Sequence, residues 1–331
     1  MERILLVPLD GSIEAEAALP HAVRVARAAG WSIRLARVIA HPSAYLGLAG
    51  PYAMAIDPQP LWEQAQATAR AYLEHTAAQV QAQGVTVSRL LLEGDPATAL
   101  LGYVGEEPAV AMVAMATHGR SGVRHLLFGS VAEKILHATP VPLLLARSQT
   151  PEPLADCAPY RTVLVPLDGS VQAEHALLLA HMLARKAGGE LLLMHALPSP
   201  ADVALAAGAG IEWDYDHLTQ RYARAEAYLH AKAQPYAAAG TPARALVRDG
   251  QPGEQIVAAA AEAGAELIVM ATHGYTGLRR LWLGSVAIHV VRHSAIPVLL
   301  VREEEERAPA QAAVVAAPEG LPAGAAPANV L

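Results

Sequence analysis

Residues 6–12 read Leu6-Val7-Pro8-Leu9-Asp10-Gly11-Ser12, and the same seven letters return as Leu164-Val165-Pro166-Leu167-Asp168-Gly169-Ser170. Further blocks recur downstream with their spacing kept. Met115-Ala116-Thr117-His118-Gly119 returns as Met270-Ala271-Thr272-His273-Gly274, and Gly129-Ser130-Val131-Ala132 as Gly284-Ser285-Val286-Ala287. A period of roughly 155 residues is too long for a solenoid repeat, so the chain reads as the duplication of a complete domain. Working outward, the halves are residues 1–147 and 160–302. Between them, residues 148–159 hold several prolines and small polar residues and read as a linker. Residues 303–331 begin with four glutamates and continue in Ala, Pro and Gly, with few large apolar groups to offset the cost of ordering, so this tail is expected to be disordered.

Within the first half, short β-rich runs alternate with alanine-rich helical patterns. The runs predict strands at Ile4–Leu9, Ser32–Ile39, Thr86–Leu92, Val110–Ala116 and Val141–Ala146, and helices near Glu14–Ala29, Pro60–Gln83, Pro96–Glu106 and Ser130–His137. Parallel neighbours need crossovers, and crossovers are right-handed. The expected fold class is therefore α/β: two tandem doubly wound domains, each with a parallel sheet and helices on both faces. Ligands of such sheets bind beyond the carboxyl ends of the strands, where the strand order reverses.

Composition narrows the function classes. With 331 residues, 53% hydrophobic but only 5% aromatic, the chain can build two sizeable cores from Ala, Val, Leu and Ile. No apolar stretch is long enough for a membrane span, and the N-terminus does not read as a secretory signal. A net charge of −7 without a basic block leaves no electrostatic footprint for nucleic acid. One cysteine, Cys157, makes no intramolecular disulfide and suits a reducing cytoplasm, where the protein is expected.

The chemistry concentrates at the end of the fourth strand. There, Ala116-Thr117-His118-Gly119 is followed after nine residues by Gly129-Ser130 at a helix start. A glycine at that point lets a phosphate approach the backbone, and the unpaired N–H groups and dipole of the first turn favour negative charge. Ser130 adds a hydroxyl donor. An isolated Gly-Ser is a helix cap, but the whole spaced block occurs twice. Asp10 and Asp168, at the end of the first strand of each half, admit two readings: contact with a ribose or a phosphate-bound cation, or a cap for the next helix. His118 and His273 stand where a phosphate donor would be useful, and also where a solvated loop histidine is ordinary. Arg120, Arg124, Arg279 and Arg280 read as solvated surface charge within reach of phosphates. His289 and His293 share a helix face at i,i+4, but no cysteine completes a metal site, and the first half has Lys134 and Ala138 instead. A P-loop, a G-x-G-x-x-G turn after the first strand, H-E-x-x-H and G-x-S-x-G are all missing, so no standard catalytic set is visible.

Three features per half, namely the first-strand aspartate, a G-x2-G-x9-G-[ST] loop and the closing Val-Pro-Leu-Leu-Leu or Ile-Pro-Val-Leu-Leu strand, resemble the universal stress protein family in its tandem form. The resemblance covers most of residues 1–302 and implies a five-stranded sheet of order 3-2-1-4-5 in each half. ATP-binding members of that family use this glycine pattern. The resemblance thus implies ATP, with Mg2+, as the ligand. Triphosphate contacts would come from Gly119, Gly129, Ser130 and Val131, and from Gly274, Gly284, Ser285 and Val286. Asp10 and Asp168 would meet ribose, phosphate or the Mg2+ carried with it. Adenine contacts would come from Pro8, Leu9, Val38 and Met115, and from Pro166, Leu167, Ala196 and Met270. Two departures stand out. The first glycine of the pattern is Ala116 or Ala271, which excludes a left-handed backbone unless strain is accepted. Ala196 replaces Val38, offering less apolar surface to a base. The resemblance also implies edge-to-edge pairing of the closing strands, giving a pseudo-dimer within the chain and the prospect of a homodimer. Three functions follow: a nucleotide-dependent stress regulator, a slow ATPase, and a scaffold without nucleotide.

Overall fold

Nearly continuous apolar runs mark strands buried on both faces, and in the computed structural model they lie in one sheet shared by both halves. The structure describes residues 2–40, 59–117, 129–147, 153–154, 157–199, 215–272 and 283–302. In the first half the strands are β1 Ile4–Pro8, β2 Ser32–Ile39, β3 Val87–Glu93, β4 Val110–Ala116 and β5 Leu143–Ala146. Their helices are α1 Ile13–Glu16, α2 Ala18–Ala29, α3 Gln59–Gln81, α4 Pro96–Glu106 and α5 Ser130–Ala138. The second half repeats the plan with β6 Thr162–Pro166, β7 Glu190–Leu197, β8 Ala243–Asp249, β9 Leu267–Ala271 and β10 Val298–Val301. Its helices are α6 Val171–Lys186, α7 Tyr215–Ala238, α8 Pro252–Glu262 and α9 Ser285–His293.

The ten strands run in the order β3-β2-β1-β4-β5-β10-β9-β6-β7-β8. Every pairing within a half is parallel. Among the described residues one junction is antiparallel, and it joins the halves, with Leu144 opposite Leu299. One apolar layer on each face crosses this junction: the first includes Leu144, Val163 and Leu299, the second Leu145, Ile268 and Leu300. The helices α2 and α6 meet over it. Cys157, near the end of the expected linker, and Tyr160, the first residue of the second half, are buried in the first layer, and the Tyr160 hydroxyl lies 3.0 Å from His21 Nδ1 on α2. That end of the connection is packed into the core.

Two local departures have physical causes. The helix expected over Glu14–Ala29 breaks at Ala17, because Pro20 has no N–H to offer the carbonyl four residues back. The second half has Leu178 at the matching position, and α6 runs unbroken. The closing strands begin at Leu143 and Val298 rather than Val141 and Ile296, because Pro142 and Pro297 cannot donate to the ladder; their carbonyls still accept from Val113 and Ile268. The first strand ends at Pro8 and the third is Val87–Glu93. The tail from residue 303 lies outside the described residues.

One buried histidine, His181, and one half-buried histidine, His195, give stability a pH dependence. His181 on α6 sits 5.1 Å from the Tyr236 ring, and burial, aided by the Arg185 charge, holds its pKa below the ordinary value. His195 on β7 is lowered mainly by burial, which outweighs the Asp168 carboxylate. Since the unfolded chain protonates first, their contribution is complete above about pH 6.5 and is lost as pH falls towards the folded values. His181→Leu is expected to flatten this loss, by at most ~1.4 kcal/mol per pH unit, in urea unfolding compared between pH 7.5 and 5.5.

Candidate functional site

The strand order reverses between β1 and β4, and a cavity of about 260 Å³ opens there at the carboxyl ends of the strands. Its apolar wall comes from Pro8 and Leu9 at the end of β1, Ala36 and Val38 on β2, and Met115 and Ala116 on β4. Register makes these residues neighbours: Pro8 pairs with Ala36, and Leu6 with Val113, two residues before Met115. Opposite stand Gly129, Ser130, Val131 and Ala132, the start of α5. Thr117, Ala15, and Pro96 and Leu100 of α4 complete the lining together with Asp10.

The start of α5 differs from those of α1, α4 and α6, while α2 and α8 also begin without a side-chain cap, behind Ala17 and Gln251. Ser12 caps α1, Asp95 caps α4 and Ser170 caps α6, each through a side-chain oxygen. Gly129 occupies the cap of α5 with φ −66° and ψ 151°, and no side chain caps the helix; Gly284 does the same for α9 at φ −68° and ψ 152°. These are extended conformations open to any residue, so the glycines are not there for a left-handed turn. What they supply is access to first-turn N–H groups, the donor set an anion requires. Gly129 is placed by its N–H bond to the Thr117 carbonyl at 2.9 Å, and Gly284 by its bond to Thr272 at 2.8 Å.

The aspartate does something neither sequence reading included. Asp10 Oδ1 accepts from the Ser12 N–H at 3.0 Å and from the Ser12 hydroxyl at 2.5 Å, while Ser12 Oγ accepts from the Ala15 N–H. Ser12, and not Asp10, caps the helix, and Asp10 orients the cap from the cavity lining. Asp168, Ser170 and Ala173 repeat the arrangement. Gly11 turns the chain at φ +82°, and a Cβ there would lie 2.6 Å from the Arg37 guanidinium, which also covers the Tyr72 ring. The second half has His195 at the position of Arg37, with Nδ1 buried and unbonded.

Of the residues singled out in the first half, the structure thus gathers Pro8, Leu9, Asp10, Val38, Met115, Ala116, Gly129, Ser130 and Val131 around one cavity. In the second half the same elements carry Pro166, Leu167, Asp168, Ala196, Met270, Ala271, Gly284, Ser285 and Val286, and Leu167 N–H donates to the Met194 carbonyl as Leu9 does to Ala36. His118, Gly119, His273 and Gly274 lie outside the described residues, as do Arg120, Arg124, Arg279 and Arg280. Ala116 and Ala271 close β4 and β9 in strand backbone, which alanine adopts without strain. The lining by Pro96 and Leu100 was missed in the sequence, although the Asp95-Pro96 helix start is a legible signal for that end of the sheet. His289 and His293 stack at 4.1 Å, and His293 Nδ1 meets the His289 carbonyl. Among the described residues no group of three or more His, Cys, Asp or Glu is placed to hold a metal ion, and no helix is long and apolar enough to cross a membrane.

A universal stress protein of Thermus aquaticus is 36% identical over 144 residues, spanning 43% of this chain and 99% of its own length. One of Mycolicibacterium smegmatis is 27% identical over 304 residues, covering 90% of this chain and 96% of its own. The crystal structure of a universal stress protein from Archaeoglobus fulgidus superposes with a TM-score of 0.63 at 22% identity, covering 90% of this chain and 98% of that one, and so shares the fold. The universal stress protein family matches twice, over residues 1–147 and 159–302, and the chain belongs to that family.

Proposed function

We propose that each half holds ATP, with the phosphates at the first turn of α5 or α9 and the adenine against the apolar wall, and that occupancy regulates the protein's contacts in a stress response. The observation that supports this most is the meeting, in one cavity, of an apolar slot and a helix start left uncapped behind a glycine. Val38 and Met115 face a base while the N–H groups of Ser130 and Val131 face an anion. Each charge-assisted hydrogen bond contributes about 1.5–3 kcal/mol, so convergence of several is what gives useful affinity. Mg2+ would arrive with the triphosphate and balance its charge. Asp10 offers it one carboxylate whose Oδ1 is already held by Ser12.

The test begins with denaturing the purified chain and identifying any released nucleotide, followed by calorimetric titration of ATP with and without Mg2+. Saturable binding is expected; protein that is empty and shows no affinity for ATP overturns the reading. The second site is expected to be up to about tenfold weaker, since Ala196 lacks two methyl groups present in Val38. Phosphate release that stops in Asp10→Asn and Asp168→Asn variants would instead identify a slow ATPase.

A further inference from the structure

Each half ends its last strand with an arginine, and each arginine crosses to the other half. Arg147, after β5, donates from Nη2 to the Arg292 carbonyl in the last turn of α9 at 2.7 Å. Arg302, after β10, donates from Nη2 to the Leu136 carbonyl in the last turn of α5. The last carbonyls of a helix lack partners within it and carry the negative end of its dipole, so a guanidinium there satisfies both. Burial holds the Arg302 pKa below its ordinary value, as an enclosed contact requires.

The helices capped in this way are the two whose first turns form the candidate sites. Backbone hydrogen bonds complete the circuit. Gly129 N–H donates to Thr117, and Thr117 N–H donates at 2.9 Å to Ala146, the residue before Arg147. Gly284 N–H donates to Thr272, and Thr272 N–H donates at 3.0 Å to Val301, the residue before Arg302. Starting from Gly129, the path runs through Thr117, Ala146 and Arg147 to the far end of α9. It then passes along α9 to Gly284, and through Thr272, Val301 and Arg302 to the far end of α5. The geometry points to Arg147 and Arg302 as positioning residues that couple each site to the opposite half, Arg302 seating α5 for the first and Arg147 seating α9 for the second. Moving either helix along its axis changes where its first-turn N–H groups meet a phosphate. The inference rests on the ATP reading for its ligand, and on the crossed hydrogen bonds alone for its direction.

The experiment uses the full chain with one site disabled at a time, Gly284→Val leaving the first and Gly129→Val the second, and titrates ATP by calorimetry. Adding Arg302→Met is expected to weaken the first site about fivefold, while the second, in its own background, changes by less than about twofold. Arg147→Met should give the mirror image. Lysine at either position keeps a cationic donor and is expected to recover most of the loss, which a packing defect would not show. Hydrogen exchange without nucleotide supplies a second readout: Arg302→Met should speed exchange in α5 from Glu133 onward and leave α9 protected. Effects confined to the arginine's own half, equal in both halves, or missing from affinity and exchange alike overturn the coupling. Wild-type ATP binding without crossed effects removes the coupling and leaves the ATP reading standing. Crossed exchange in a chain that ignores ATP upholds the coupling of the helices and removes ATP as the ligand.

Discussion

Replacing Gly129 by valine is expected to weaken ATP at the first site at least a hundredfold while the protein stays folded. The cap backbone at φ −66° and ψ 151° is one that valine adopts readily, so no left-handed strain arises. A weaker cap costs on the order of 1 kcal/mol. The branched side chain, however, stands at the mouth of the first turn and keeps a phosphate from the N–H groups of Ser130 and Val131. Losing two charge-assisted bonds at about 1.5–3 kcal/mol each corresponds to a hundredfold or more in Kd. Calorimetry on the Gly284→Val background isolates the effect, and circular dichroism checks the fold. An unchanged Kd would mean that Gly129 caps a helix and no more.

The junction between the halves carries the largest expected effect on stability. Leu299 is fully buried opposite Leu144 in the antiparallel pairing that joins the halves. Leu299→Asp sets an unpaired carboxylate in that layer, at a cost of about 3–5 kcal/mol, and forfeits roughly 1.5–3 kcal/mol of apolar burial. Against a typical total of about 5–15 kcal/mol, the variant is expected to unfold or to lose most of its urea resistance. Leu299→Ala, which leaves only a cavity, should cost about 2–5 kcal/mol. A shift under about 1 kcal/mol for the aspartate would show that Leu299 is not enclosed in this layer in solution.

Much of this architecture is legible in the sequence because duplication writes each signal twice. Ser32–Ile39 and Val110–Ala116 are strands over the same residues in both readings, since uninterrupted apolar runs bounded by turns leave little choice. The breaks were less legible: Pro20 was visible, yet the apolar periodicity of Glu14–Ala29 passes over it. At the site, the helix start and the apolar wall were recognisable from spacing. The hydrogen bond from Ser12 to Asp10 was not, because a carboxylate two residues from a serine is common and only the turn at Gly11 brings them together. Pro96 and Leu100 belong to a helix distant in sequence, and their place in the lining depends on how α4 lies on the sheet. The crossing arginines were invisible for the same reason, since their partners lie on the other half of the chain.

The antiparallel junction also fixes the outlook of the two sites. Each lies at the carboxyl ends of its own strands, and the two sets of strands run in opposite directions. Four strand spacings separate the two reversal points, about 19 Å across the sheet, and the antiparallel junction keeps the two sets of carboxyl ends off a common rim. A flat surface laid against one set of carboxyl ends therefore does not cover the other.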